Sequence, residues 1–133
     1  MAPGILNRRS KFFQAAIAAA ILGFSAAVFA QNFTISAVSG KIITPNGDGK
    51  NDDFIVSFYN PQFSQISGKI FDLNGHLVAT MTSASSPLCP SQPTLQCLMW
   101  DGKSNGQEAQ GGVYVYLLQS GSEVYDGTVA LIR

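Results

Sequence analysis

The sequence predicts an all-β protein: one antiparallel sandwich of about seven short strands behind a cleavable leader. Three observations carry this. Beyond residue 31 no stretch repeats its apolar residues with a helical period; they alternate instead. Turn-forming residues punctuate the alternation at Asn74-Gly75, Asp101-Gly102, Asn105-Gly106 and Ser120-Gly121-Ser122. The chain beyond the leader, residues 31–133, is long enough to bury one core and too short for a second domain.

The leader comes first. Arg8, Arg9 and Lys11 form a basic head, and "FFQAAIAAAILGFSAAVF" follows as an apolar run. It ends in "VFA", with Val28 and Ala30 at the positions a signal peptidase reads, so cleavage falls between Ala30 and Gln31. About 18 apolar residues could just span a bilayer as an uncleaved anchor. Gln14 inside the run and the small-residue exit favour cleavage. Residues 1–30 are therefore expected to be a signal peptide, and residues 31–133 a product that is secreted or held at the cell surface.

The strands follow in order. "FTISAVS" places Phe33, Ile35 and Val38 in a β-rich run, and "DFIVSFY" sets Phe54, Val56 and Phe58 on one face. "ISGKIFDL" and "HLVATM" flank Asn74-Gly75, a residue pair suited to a two-residue type I′ turn. "CLMW" is short and apolar, and Trp100 in it is expected to fill the core. "VYVYLLQ" divides into Val113, Val115 and Leu117 on one face and Tyr114, Tyr116 and Leu118 on the other. "EVYDGTVALIR" closes the chain with Val129 and Leu131 alternating. Strands of this number and spacing point to an immunoglobulin-like sandwich, with a small closed barrel as the alternative.

Charge and cysteine content narrow the partners. Residues 31–133 carry five basic side chains against eight acidic ones, a net charge of −3. Lys41, Lys50, Lys69, Lys103 and Arg133 are scattered and form no stripe that could neutralise phosphates, so nucleic acid is excluded as a partner. Cys89 and Cys97 flank "PSQPTLQ", and in an exported chain such a pair reads as a structural disulfide. Closing so short a loop contributes about 2–3 kcal/mol through the unfolded state. It would pin a proline- and serine-rich segment over residues 83–96.

Catalysis is not expected. The single histidine, His76, follows a turn, and neither a nucleophile elbow nor an HExxH pattern occurs. Asp72 and Asp101 stand beside turns, where a short acceptor satisfies backbone donors. The stretch "TPNGDGKNDDF" is different, because Asn46, Asp48, Asp52 and Asp53 offer hard oxygen ligands within a few residues. Calcium takes six to eight such oxygens, so these residues, with the Lys50 carbonyl, are a candidate calcium site. The pattern departs from the EF-hand, since Lys50 occupies a ligand position and no glutamate arrives at the twelfth. A structural turn held by Asn and Asp side chains is the competing reading.

"ITPNGDGKNDDF", "GKIFDLNGHLVATM", "WDGKSNGQEAQGGVYVYLLQSG" and "GTVALIR" occur in that order over residues 40–133. Together they resemble the gliding-motility-associated C-terminal domain, with "IFDLNGHLV" closer to the related FlgD-like immunoglobulin module. The resemblance implies an immunoglobulin-like fold that serves type IX secretion and surface attachment. In that family the domain trails a larger cargo, whereas here only the leader and a few residues precede the motifs. The first functional reading is accordingly a secreted, non-enzymatic structural or adhesive protein of the cell surface, partnered by other extracellular proteins or by copies of itself. "NFTISAVS" would then be a candidate donated strand or, more simply, the domain's first strand. The alternative is a sorting module whose partner is the type IX export machinery, with "GTVALIR" removable without unfolding. A third reading is a carbohydrate- or protein-binding module using Tyr59, Tyr114, Tyr116 or Tyr125.

Overall fold

The computed structural model describes residues 33–84, 89 and 92–133. The leader and its Ala30–Gln31 cleavage point lie outside the described residues. The strand segments, in chain order, are β1 (Thr34–Val38), β2 (Ile42–Ile43), β3 (Phe54–Tyr59), β4 (Ser67–Phe71), β5 (Leu77–Thr80), β6 (Thr82–Ser83), β7 (Leu95–Trp100), β8 (Lys103–Ser104), β9 (Gln107–Glu108), β10 (Gly112–Ser120) and β11 (Glu123–Leu131). They build a four-stranded sheet, β1-β3-β7-β6, and a five-stranded sheet, β2-β11-β10-β4-β5, with β8-β9 as a separate small hairpin. The seven strands expected from the sequence are all present, as β1, β3, β4, β5, β7, β10 and β11. The fold is an immunoglobulin-like sandwich and not a closed barrel.

The expected antiparallel order has one exception. β2 runs parallel to β11, with Ile42 beside Ala130 and Ile43 beside Leu131. The reason is a change of sheet within residues 34–43. β1 pairs with β3, and Ser39 ends that pairing: its N–H donates to the Ile55 carbonyl and its Oγ accepts from the Ile55 N–H. The chain then crosses at Gly40, and β2 enters the opposite sheet. The run "FTISAVS" thus completes this domain's own sheet, with Phe33 edge-on to Phe58 at 5.9 Å. Its uneven apolar spacing has a cause too. A bulge between Ile35 and Ala37 turns Val38 back toward the core face that Phe33 and Ile35 occupy.

The core lies between the sheets. Phe54, Val56, Phe58, Leu98 and Trp100 come from one sheet, and Ile43, Ile70, Tyr114, Tyr116, Leu118, Val129 and Leu131 from the other. Aromatic pairs bridge the two, Phe54 with Tyr116 at 4.8 Å and Trp100 with Tyr114 at 5.1 Å. Trp100 therefore fills the core as expected, and its Nε1–H donates to the Lys103 carbonyl. Met81 marks the corner where the chain passes from β5 to β6, and its N–H donates to Gly68. Cys89 and Cys97 are joined in a disulfide. It ties residue 89 to the buried Cys97 within β7, although residues 85–88, 90 and 91 are not described.

The Asn74-Gly75 turn differs from the expectation. Only Gly75 has positive φ, and Leu73, Asn74 and Gly75 together span a three-residue loop closed by bonds from Gly75 N–H to Asp72 and from Asp72 N–H to His76. The Asp72 carboxylate decides this by accepting from the Asn74 and His76 N–H groups, which favours a type I turn ended by a left-handed glycine. The two-residue turn with positive φ at both positions is Asn105-Gly106, between β8 and β9.

Tyr116 imposes a further constraint, because its ring lies across Gly127, its partner on β11. A methyl group there would meet the ring itself. Gly127→Ala is expected to destabilise the fold by about 1–3 kcal/mol through overpacking. A urea titration checks this, and in the background of Tyr116→Ala the same change should cost much less.

Candidate functional site

Three of the sequence motifs meet at one pole of the sandwich, around the end of β11. The side chains do this by filling one another's space. A Cβ at Gly102 would approach Pro45 Cγ to 2.9 Å and Leu131 Cδ1 to 3.3 Å, so the "TPNGDG" loop, the "WDG" turn and "GTVALIR" touch there. Gly102 also has φ +76°, a left-handed conformation that a side chain would strain. The main chain adds its own ties: Ala130 N–H donates to the Lys41 carbonyl and Ile132 N–H to Ile43. Arg133 closes the pole. Its Nε donates to the Ala109 carbonyl and its Nη2 to Gly102, both at 2.8 Å, and Nη1 lies 3.5 Å from Glu108.

The acidic loop is held from within. Asp52 Oδ1 accepts from the N–H groups of Asn46 and Gly47, and Oδ2 from Gly49 at 2.7 Å. Asn46 Oδ1 accepts from Asp48 N–H, Asp48 Oδ1 from Lys50 N–H, and the Asn51 carbonyl from Thr44 N–H. Positive φ at Gly47, Gly49 and Asn51 lets successive N–H groups converge on one carboxylate. These donors, Asn46 first and Gly49 next, hold the Asp52 carboxyl below its ordinary value. Asp53 is pushed the other way, first by burial and then by the charges of Asp101 and Asp52.

The candidate calcium ligands Asn46, Asp48, Lys50, Asp52 and Asp53 are thus neighbours in one loop, where Asn46, Asp48 and Asp52 accept bonds from the loop's own backbone. Among the described residues, no three His, Cys, Asp or Glu side chains gather as a metal-holding group. An ion that drew on Asp52 would share its oxygens with three N–H donors. Elsewhere, the His76 ring is exposed and lies 3.2 Å from Asp72. Asp101 accepts from Lys103 N–H, as its place beside a turn implied. The tyrosine set needs correction. Tyr114 and Tyr116 are buried in the core, because the face of β10 that carries them is the one turned to the other sheet. Burial, with Tyr125 next, pushes the Tyr116 phenol up to about 12. Only Tyr59 and Tyr125 of that set remain exposed.

The motif order that forms this pole is matched by a family model, the CHU_C type IX secretion signal domain, over residues 37–131. The chain belongs to that family. No curated protein and no solved structure matches the sequence. Membership implies export to the cell surface or the extracellular space, in agreement with the resemblance drawn from the motifs. The part of this type IX domain that sequence reasoning missed is the Arg133 clamp. Its two hydrogen bonds go to backbone carbonyls, which carry no side-chain signal.

Three outcomes are expected. Asp52 has its carboxyl depressed in the fold, so its stabilising effect is present above the ordinary value of 3.8 and lost as pH falls below it. Amide-exchange protection at Asn46, Gly47 and Gly49, taken relative to the intrinsic rate at each pH, should fall in acid, and in Asp52→Asn it should be low already at neutral pH. Millimolar calcium added to a chelated sample should leave Tm unchanged if these side chains only hold the turn, and should raise it clearly if they also hold an ion. Arg133→Met should destabilise by about 1–3 kcal/mol in denaturant, through loss of charge-assisted bonds at two carbonyls.

Proposed function

We propose that this chain is a sorting module that the type IX export machinery reads as a folded domain, at the pole where its motifs meet. One observation carries the reading. The motif "GTVALIR" is a core strand, with Val129 and Leu131 buried and bonded neighbours on both sides at Ala130 and Leu131. Recognition of the intact domain is therefore confined to what surrounds that strand: Ile132, Arg133 and the exposed loop over residues 46–51. The expectation that residues 127–133 can be removed without unfolding is replaced, since their loss would strip the core and the Arg133 clamp together.

The family match supports the sorting reading over the structural or adhesive one, which rests on the sequence alone. On the sorting reading the partner is the export machinery, the location is the cell surface or medium, and no catalysis is involved.

The test follows the full chain from periplasm to surface in cells that run type IX secretion. Lys50→Glu combined with Ile132→Asp alters two exposed side chains of the pole. The double variant should keep its Tm yet accumulate in the periplasm. Normal passage to the surface would mean that the pole is not what the machinery reads. Deletion of residues 127–133 is the unfolding control and should lose cooperative melting.

A further inference from the structure

β11 is paired unequally on its two sides. β10 accompanies it from Glu123 to Leu131, while β2 meets only Ala130 and Leu131. Bonds to the β2 side start from the N–H groups of Ala130 and Ile132. By the alternation of a strand, the even-numbered residues Val124, Asp126 and Thr128 also turn their main-chain groups to that side. All three are exposed, and no described strand covers them. The origin of this open edge is the change of sheet described above. Residues in line with β2 that would have reached Val124–Thr128 are committed to β3 as β1 instead. Next to the edge, a cleft of about 430 Å³ opens between β1 and β11, with Phe33, Ile35 and Tyr125 in its lining.

We propose that this edge docks an extended polypeptide strand from another protein, one with alternating apolar residues and a lysine or arginine at its centre. Each feature of the strand has a source. Outward N–H and C=O groups at residues 124, 126 and 128 select a polypeptide, since only another backbone matches their spacing. Residues of the incoming strand opposite Tyr125 and Gly127 point to the cleft, where Phe33 and Ile35 favour apolar side chains. Asp126 stands at the middle of the edge on the solvent face and favours a cation opposite it. The same residue argues against a second copy. Antiparallel self-pairing that overlaps residues 124, 126 and 128 of both copies would set Asp126 against Asp126 in a domain that is already acidic.

The proposal does not depend on how the chain is exported, so either can fail alone. The probes are two short capped peptides of alternating valine and threonine, one with a central lysine and one with a central aspartate. The lysine peptide should slow amide exchange at Val124, Asp126 and Thr128, and the aspartate peptide should bind about tenfold more weakly. Thr128→Pro removes an outward N–H at an edge position where proline is tolerated, and should weaken binding about tenfold with cooperative melting retained. Asp126→Lys leaves every backbone donor in place and should reverse the peptide preference. Protection absent from these three amides, or a preference unmoved by Asp126→Lys, overturns the proposal. Protection of the same amides by raising protein concentration without peptide also overturns it, in favour of a second copy.

Discussion

Pairing of β11 between β10 and β2 is the constraint on which the rest of the molecule depends, because that strand supplies both the floor of the core and the platform of the pole. Val129 and Leu131 are 1 % and 2 % exposed. Burying side chains of that kind is worth about 1.5–3 kcal/mol each, a large share of the 5–15 kcal/mol by which a domain this size is stable. The parallel strand β2 can reach β11 only because β1 gives up the same sheet at Ser39-Gly40. Arg133 can reach the Gly102 and Ala109 carbonyls only because β11 ends where it does. A segment that looks like a detachable tag is therefore inseparable from the fold.

Electrostatics at the pole follow from the same economy. The domain is acidic, yet Asp52, Asp72 and Asp101 each face backbone N–H groups of their own turns. Their charge fixes the conformation of loops that carry many glycines, where the entropy of ordering is high. This gives the exposed loop over residues 46–51 a defined shape. A shaped, solvent-facing loop beside a strand end is what a receptor for folded cargo can read, and it is consistent with membership in the type IX family.

Two surfaces of β11 consequently have different characters. Its end is clamped by Arg133 and by β2, and presents side chains and turns. Its first half has one flank that no described strand covers and presents main chain there. Tyr116 and Gly127 separate the two, with the ring of one filling the space the other leaves.

Alternation and turn chemistry made the seven main strands, the faces of β3 and β10, the disulfide and the family legible in the sequence. These depend on residues near one another along the chain, where the period of the backbone dictates the outcome. Even the bulge in β1 was written in the uneven spacing of Phe33, Ile35 and Val38. The two Asn-Gly pairs show where local reading stops. Asn105-Gly106 forms the two-residue turn suited to that pair, while at Asn74-Gly75 the Asp72 carboxylate captures two N–H groups and imposes a three-residue loop. Only tertiary structure decided that β2 pairs parallel with β11, that Tyr114 and Tyr116 face inward, and that Arg133 bonds to carbonyls 24 and 31 residues away. Those facts depend on which sheet a strand joins, and that choice is settled by packing between distant segments, to which local patterns are blind.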